Sequence, residues 1–270
     1  MGKSGGRIMK LRMALAAVCL AGGSLLGSAV AQAATYDLAA DLYTINQPGS
    51  AWSATYSGGG LAQYPKASVV NNNHLYSALP TEGIISAGGS GNMNVNTPFM
   101  FRAAVNGSAT DPDPSNHTLT DGDFMAGDAV IHSPNSGTLT ITWKAPSAGT
   151  ISNLDFSVWY AHSTQPTRSN DVTFSFGSLV FNDLHTSATD NPARPGTAVI
   201  NGGGFAVAAN QLLTLTLAKS AAAEFGSLSG VALSFAFQSA VTPIPATLPL
   251  FGAGLAGLGW IARRRQRQTA

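Results

Sequence analysis

Cysteine is almost absent from this chain: there is one, Cys19, among 270 residues. One thiol cannot close a disulfide within the chain, so stability must come from a buried core or a bound ion. Glutamate is nearly absent too, at Glu82 and Glu224, and charged residues make up only 10% of the total. No long stretch carries an apolar period of 3.6 residues, which argues against a helical bundle. Several reaction signatures are also missing. The body, residues 34–239, holds no G-x-S-x-G element for a serine hydrolase, and its nearest strings, GGSGN and FGSLSG, are out of frame. No histidine pair has the H-E-x-x-H spacing of a zinc site; His74, His117, His132, His162 and His185 are dispersed, and His132 suits a structural turn. Neither glutamate sits in a setting suggesting the paired carboxylates of a glycosidase.

What is present is concentrated first at the two ends. Lys3, Arg7, Lys10 and Arg12 precede an apolar stretch from Met13 to Leu26, followed by small residues. Ala31-Gln32-Ala33 fits a signal-peptidase site, so residues 1–33 read as a signal peptide cut after Ala33. Cys19 lies inside that segment behind Val18, where lipidation would need a small residue. At the other end, 17 uncharged residues from Ala246 to Ala262 run between Pro243-Ile244-Pro245 and Arg263-Arg264-Arg265. That length is the short limit for a transmembrane helix, and the arginines after it favour the cytoplasmic side. Both ends predict one topology, with the body exported and the tail inward.

The net charge of +1 conceals an acidic body. Eight of the 14 Lys and Arg lie in the end segments, leaving six against all 13 Asp and Glu, a net of −7. Such a body is a poor partner for nucleic acid or an anionic membrane.

The body, residues 34–239, alternates with period two, and its links carry turn formers such as APSAG, NPARPG and NGGG. Strands are predicted over 138–143, 151–160, 171–176, 212–217 and 231–237. Their apolar faces include Leu139, Ile141 and Trp143, then Leu154, Phe156, Val158 and Tyr160. Tyr36–Thr44 reads as an opening strand, and Phe99–Val105 as another. The predicted fold is an all-β antiparallel sandwich. The loop Asp111–Asp123 clusters aspartates that could take calcium but lacks EF-hand spacing, so no cofactor is expected beyond that option. Trp159 falls on the face opposite Phe156 and Val158. With Tyr160 it is the candidate platform for stacking on a sugar ring, the competing reading being a second packed face.

Two stretches carry a resemblance. GDAVIHSPNSGTLTITWKAPSAGTISNLDFSVWYA, with His132-Ser133-Pro134, Trp143, Ala145-Pro146 and Ala148-Gly149, resembles a segment common in exported bacterial proteins of jelly-roll type. Pro243-Ile244-Pro245, the apolar run and the arginine cluster resemble the PEP-CTERM sorting signal, in a variant with Ile244 where the family usually has Glu. The resemblance implies a Gram-negative host that makes exopolysaccharide and biofilm, and an exosortase-like membrane enzyme that cuts near the proline motif. The expected role is then a non-enzymatic cell-surface or matrix protein that binds polysaccharide. The alternatives are a secreted hydrolase and an uncleaved membrane-anchored binding module.

Overall fold

The computed structural model describes residues 33–64, 83–87, 97–103, 124–161, 167–187, 197–240 and 247–267. Ala31 of the predicted cleavage motif, Pro243-Ile244-Pro245 and the Asp111–Asp123 loop lie outside them. Gln32–Ala240 form one compact unit, and the helix Thr247–Gln266 belongs to another.

The body is built of antiparallel strands in two sheets. In chain order these are β1 (Ala33–Asp37), β2 (Trp52–Tyr56), β3 (Leu61–Tyr64), β4 (Ile84–Ala87), β5 (Phe99–Arg102), β6 (Ala129–His132) and β7 (Thr138–Lys144). There follow β8 (Gly149–Tyr160), β9 (Ser169–Phe176), β10 (Leu179–Ser187), β11 (Thr197–Gly202), β12 (Phe205–Val207), β13 (Leu212–Lys219) and β14 (Leu228–Ser239). The nine-stranded sheet runs β11-β8-β14-β6-β5-β4-β3, with β1 also on β14 and β12 also on β8. The five-stranded sheet runs β10-β9-β13-β7-β2. From β6 onward the chain crosses repeatedly between the sheets, so sequence neighbours such as β7 and β8 lie in different layers.

Period-two alternation explains the inner faces. Along β7, Leu139, Ile141 and Trp143 are fully buried while Thr138, Thr140 and Thr142 look outward; β13 repeats the pattern with Leu213, Leu215 and Leu217. Phe156 of β8 stacks on Phe174 of β9 at 4.5 Å, and Trp143 meets Phe235 of β14 edge-on at 4.9 Å. Each such side chain contributes about 1.5–3 kcal/mol by leaving water. In β8 the alternation slips. Asn153 takes a left-handed φ of 52°, and the register with β14 shifts between Ser234 and Ala236. Ile151 and Leu154 therefore both reach the core although three residues apart.

The opening segment differs from expectation. Tyr36 and Asp37 are extended, but the Asp37 carboxylate then accepts from the Ala39 and Ala40 amides at 2.9 and 3.1 Å. This cap starts the short helix α1 (Leu38–Asp41), and a 3-10 turn follows over Leu42–Thr44. Leu38, Leu42 and Ile45 then close the edge of the core, which a continuous strand would not allow.

Helix α2 (Thr247–Gln266) forms where the sequence expects a helix. Among the described residues, no helix is long and apolar enough to cross a membrane. The uncharged part of α2, residues 247–262, spans about 24 Å at 1.5 Å per residue, against about 30 Å of bilayer hydrocarbon. Gly252, Gly254, Gly257 and Gly259 dilute its hydropathy further. Leu255, Leu258, Trp260 and Ile261 are exposed on it, and the Arg264 guanidinium lies 5.6 Å over the Trp260 ring.

Candidate functional site

Among the described residues, a hydrogen-bonded cluster of polar side chains lies at one end of the sandwich. Pairing of β14 with β6 puts Leu228 opposite His132, and pairing with β8 puts Ser229 opposite Tyr160. In the other sheet, Asn170 at the start of β9 lies opposite Thr186 at the end of β10. Asn170 is fully buried and uses both halves of its amide. Its Oδ1 accepts from the Ser133 hydroxyl and, at 2.8 Å, from the Ser227 amide. Its Nδ2 donates to the Ser227 carbonyl and to Ser229 Oγ, both at 2.8 Å. Thr186 Oγ1 completes the chain at 3.0 Å from Ser229 Oγ. One amide thus ties the five-stranded sheet to β14 of the other. Gly226 fits because a Cβ there would meet the Ser133 hydroxyl and backbone. Ser227 Oγ is buried without a hydrogen-bond partner.

Above this knot lie His132 and Arg168. His132 is 7% exposed; its Nδ1 is 2.6 Å from the Ser133 carbonyl, and its Nε2 is 3.3 Å from an Arg168 guanidinium nitrogen. Arg168 also donates to the Gly226 carbonyl at 3.0 Å and lies 5.2 Å over the Phe225 ring. Burial pulls the Arg168 guanidinium below its ordinary range, while Tyr160 and Glu224 act to keep it charged. Ser133 gives its hydroxyl to Asn170, and its neighbour His132 is turned to other partners. The pair is not arranged as nucleophile and base.

The structure corrects the sugar platform. Trp159 is 1% exposed and Tyr160 is fully buried. The Trp159 ring lies across Gly230, its partner on β14, so closely that a Cβ there would collide with it. Trp159 belongs to a second apolar cluster with Phe99, Phe101, Phe124, Val130 and Leu228. The face opposite Phe156 and Val158 is packed around Trp159, and Tyr160 is buried as well, so neither ring is available for stacking.

The outward face of the five-stranded sheet offers hydroxyls instead of rings. Register aligns Ser53, Thr142, Thr214 and Ser175 in one row, and Thr55, Thr140, Thr216 and Thr173 in the next. Neighbours in a row are about 4.7–4.9 Å apart and the rows are about 6.6–6.8 Å apart. Arg263, Arg264 and Arg265 are exposed at the end of α2, and Ala33 is exposed at the start of β1. No group of three or more His, Cys, Asp or Glu able to hold a metal occurs among the described residues. His132 is the described histidine at this site; His74, His117 and His162 lie outside the described residues. The polar knot escaped sequence reasoning because Ser133, Asn170, Thr186 and Ser227 come from four distant segments; His132-Ser133-Pro134 was its one visible part. In comparisons with known protein families and with curated proteins, the chain matches none.

Proposed function

We propose that the chain is an exported cell-surface or extracellular-matrix protein. Its β-sandwich body is delivered by a PEP-CTERM-like tail that an exosortase-like membrane enzyme recognises at Pro243-Ile244-Pro245. The observation that carries the reading is the contrast between an acidic two-sheet body and a separate helix whose exposed apolar residues lead into Arg263-Arg264-Arg265. A helix of this length suits an address at the membrane, held transiently, better than a permanent anchor. Cutting after Ala33 would leave Ala34–Asp37 paired with β14, so the body keeps its first strand after loss of the signal.

The finer fold assignment, a jelly roll, is supported by strand order. The sequence β6-β14-β8-β11 in one sheet over β7-β13-β9-β10 in the other is that of eight strands wound as two Greek keys. The polysaccharide part of the reading moves from the buried Trp159 to the hydroxyl face. Its central rows are neutral, which suits a neutral glycan held by hydrogen bonds.

Intact mass of the form released from cells tests the sorting role. The expected mass lacks residues 1–33 and the segment after the proline motif. A released form that retains Arg263–Arg267 would overturn sorting by cleavage and leave the uncleaved binding module. Absence of binding on a neutral-glycan array would remove the polysaccharide part alone.

A further inference from the structure

We propose that His132 and Arg168 form an acid-sensitive latch on the end of the sandwich that holds the polar knot. This goes beyond the surface role proposed above and does not depend on it. The argument starts from what the partners of His132 can and cannot do. A carbonyl oxygen only accepts, so Nδ1, at 2.6 Å from the Ser133 carbonyl, must carry the hydrogen. A guanidinium only donates, so Nε2, at 3.3 Å from Arg168, must be bare. Both contacts are made at once only by the neutral ring with its proton on Nδ1.

A second proton has to go on Nε2, where it would point at the guanidinium of Arg168. The ring is nearly out of water, so the two charges would be poorly screened. Three described groups bear on this pair from neighbouring segments. Phe99 of β5 lies against the ring at 4.9 Å and does not titrate. Tyr160 of β8 and Glu224, in the segment before β14, both act electrostatically on Arg168 and favour its charge. Burial works against the charge on Arg168, but a guanidinium stays protonated across this pH range, so His132 is the partner that must give way.

Giving way has a defined result. Arg168 joins the segment before β9 to the Gly226 carbonyl and the Phe225 ring, directly over the bonds of Ser227 to Asn170. If the pair separates, the start of β14 loses this cover. The folded state disfavours the second proton and the unfolded chain takes it up near the ordinary histidine value of about 6.5. The latch therefore holds fully above that value and loosens as the pH falls below it.

The test is urea unfolding of the full chain between pH 8 and 5, with the His132 ring followed by NMR in the folded protein. The folding constant should fall by up to tenfold per pH unit below about 6.5, the limit set by one proton. The His132 ring should stay neutral below the ordinary midpoint, and its protonation should coincide with faster exchange of the Ser227 amide. His132→Gln, which keeps an acceptor for Arg168 but cannot take a proton, should lower stability at neutral pH yet flatten the profile by that one proton. Retention of the wild-type slope in His132→Gln would overturn the proposal. So would a His132 ring that titrates at or above about 6.5 with the Ser227 amide unaffected, a result that needs no variant to fold.

Discussion

Two interiors hold this sandwich together, and they are built on opposite rules. Between the sheets the contacts are apolar and repeated: Trp143 packs edge-on against Tyr36, Phe235 and Phe237 at 5.2, 4.9 and 5.5 Å. At the end where β6, β9, β10 and β14 meet, one asparagine amide collects partners from both sheets. The first kind of interior tolerates exchange of one apolar side chain for another of similar volume. The second has directional bonds, each tied to one donor and acceptor geometry. Among the described residues, each also contains a buried polar atom without a hydrogen bond, Trp143 Nε1 in the core and Ser227 Oγ in the knot. The indole N–H of Trp143 acts on the Tyr36 hydroxyl, which burial and Asp41 push up in pKa, but it does not reach hydrogen-bond geometry.

The largest way to break the comparison is at Trp143. Trp143→Ala removes a fully buried ring from the centre of the inter-sheet core and should cost about 3–5 kcal/mol. Urea unfolding should show the midpoint falling with little change in slope. A loss below about 1 kcal/mol would mean that the sheets do not depend on this contact.

The apolar interior was legible because each strand carries its own signal. Leu139, Ile141 and Trp143 alternate with threonines within seven residues, and β13 does the same. Legibility failed where a few atoms decide the local path. The Asp37 side chain converts a predicted strand into helix α1 after two residues. The left-handed Asn153 changes the parity of β8, so Ile151 joins a face that simple alternation denies it. Alternation places Trp159 on the side of β8 opposite Phe156, but whether that side is wet depends on Phe99, Phe101 and Phe124 from elsewhere in the chain. The knot was hidden for a related reason. Serine, threonine and asparagine look alike on a wet surface and in a satisfied buried network, and only the third dimension distinguishes them.

Asn170 tests the second rule. Asn170→Ala removes the acceptor of the Ser133 hydroxyl and a donor to Ser229 Oγ, leaves the Ser227 amide and carbonyl only their bonds to Ser133, and should cost about 2–3 kcal/mol. Asn170→Leu, which nearly restores the volume, should do no better in the same urea titration, because the lost terms are hydrogen bonds. Recovery by leucine to within about 1 kcal/mol of the wild type would show that the knot behaves as ordinary core.

The smallest effect should carry the opposite sign. Ser227 enters the knot through its amide and its carbonyl, both of which bond to Asn170, while its hydroxyl is buried and unbonded. Burying a hydroxyl without a partner costs free energy that a methyl group does not. Ser227→Ala keeps both backbone bonds and removes only the orphan oxygen, so stability should be unchanged or rise by up to about 1 kcal/mol. The neighbouring Ser133→Ala removes a donor that Asn170 uses, and should lower stability in the same assay. Opposite signs at two buried serines of one cluster would show that the bonds, and not the polarity of the residues, hold this end closed. A clear loss at Ser227→Ala would instead place an acceptor or a water on its hydroxyl and make it a working member of the knot.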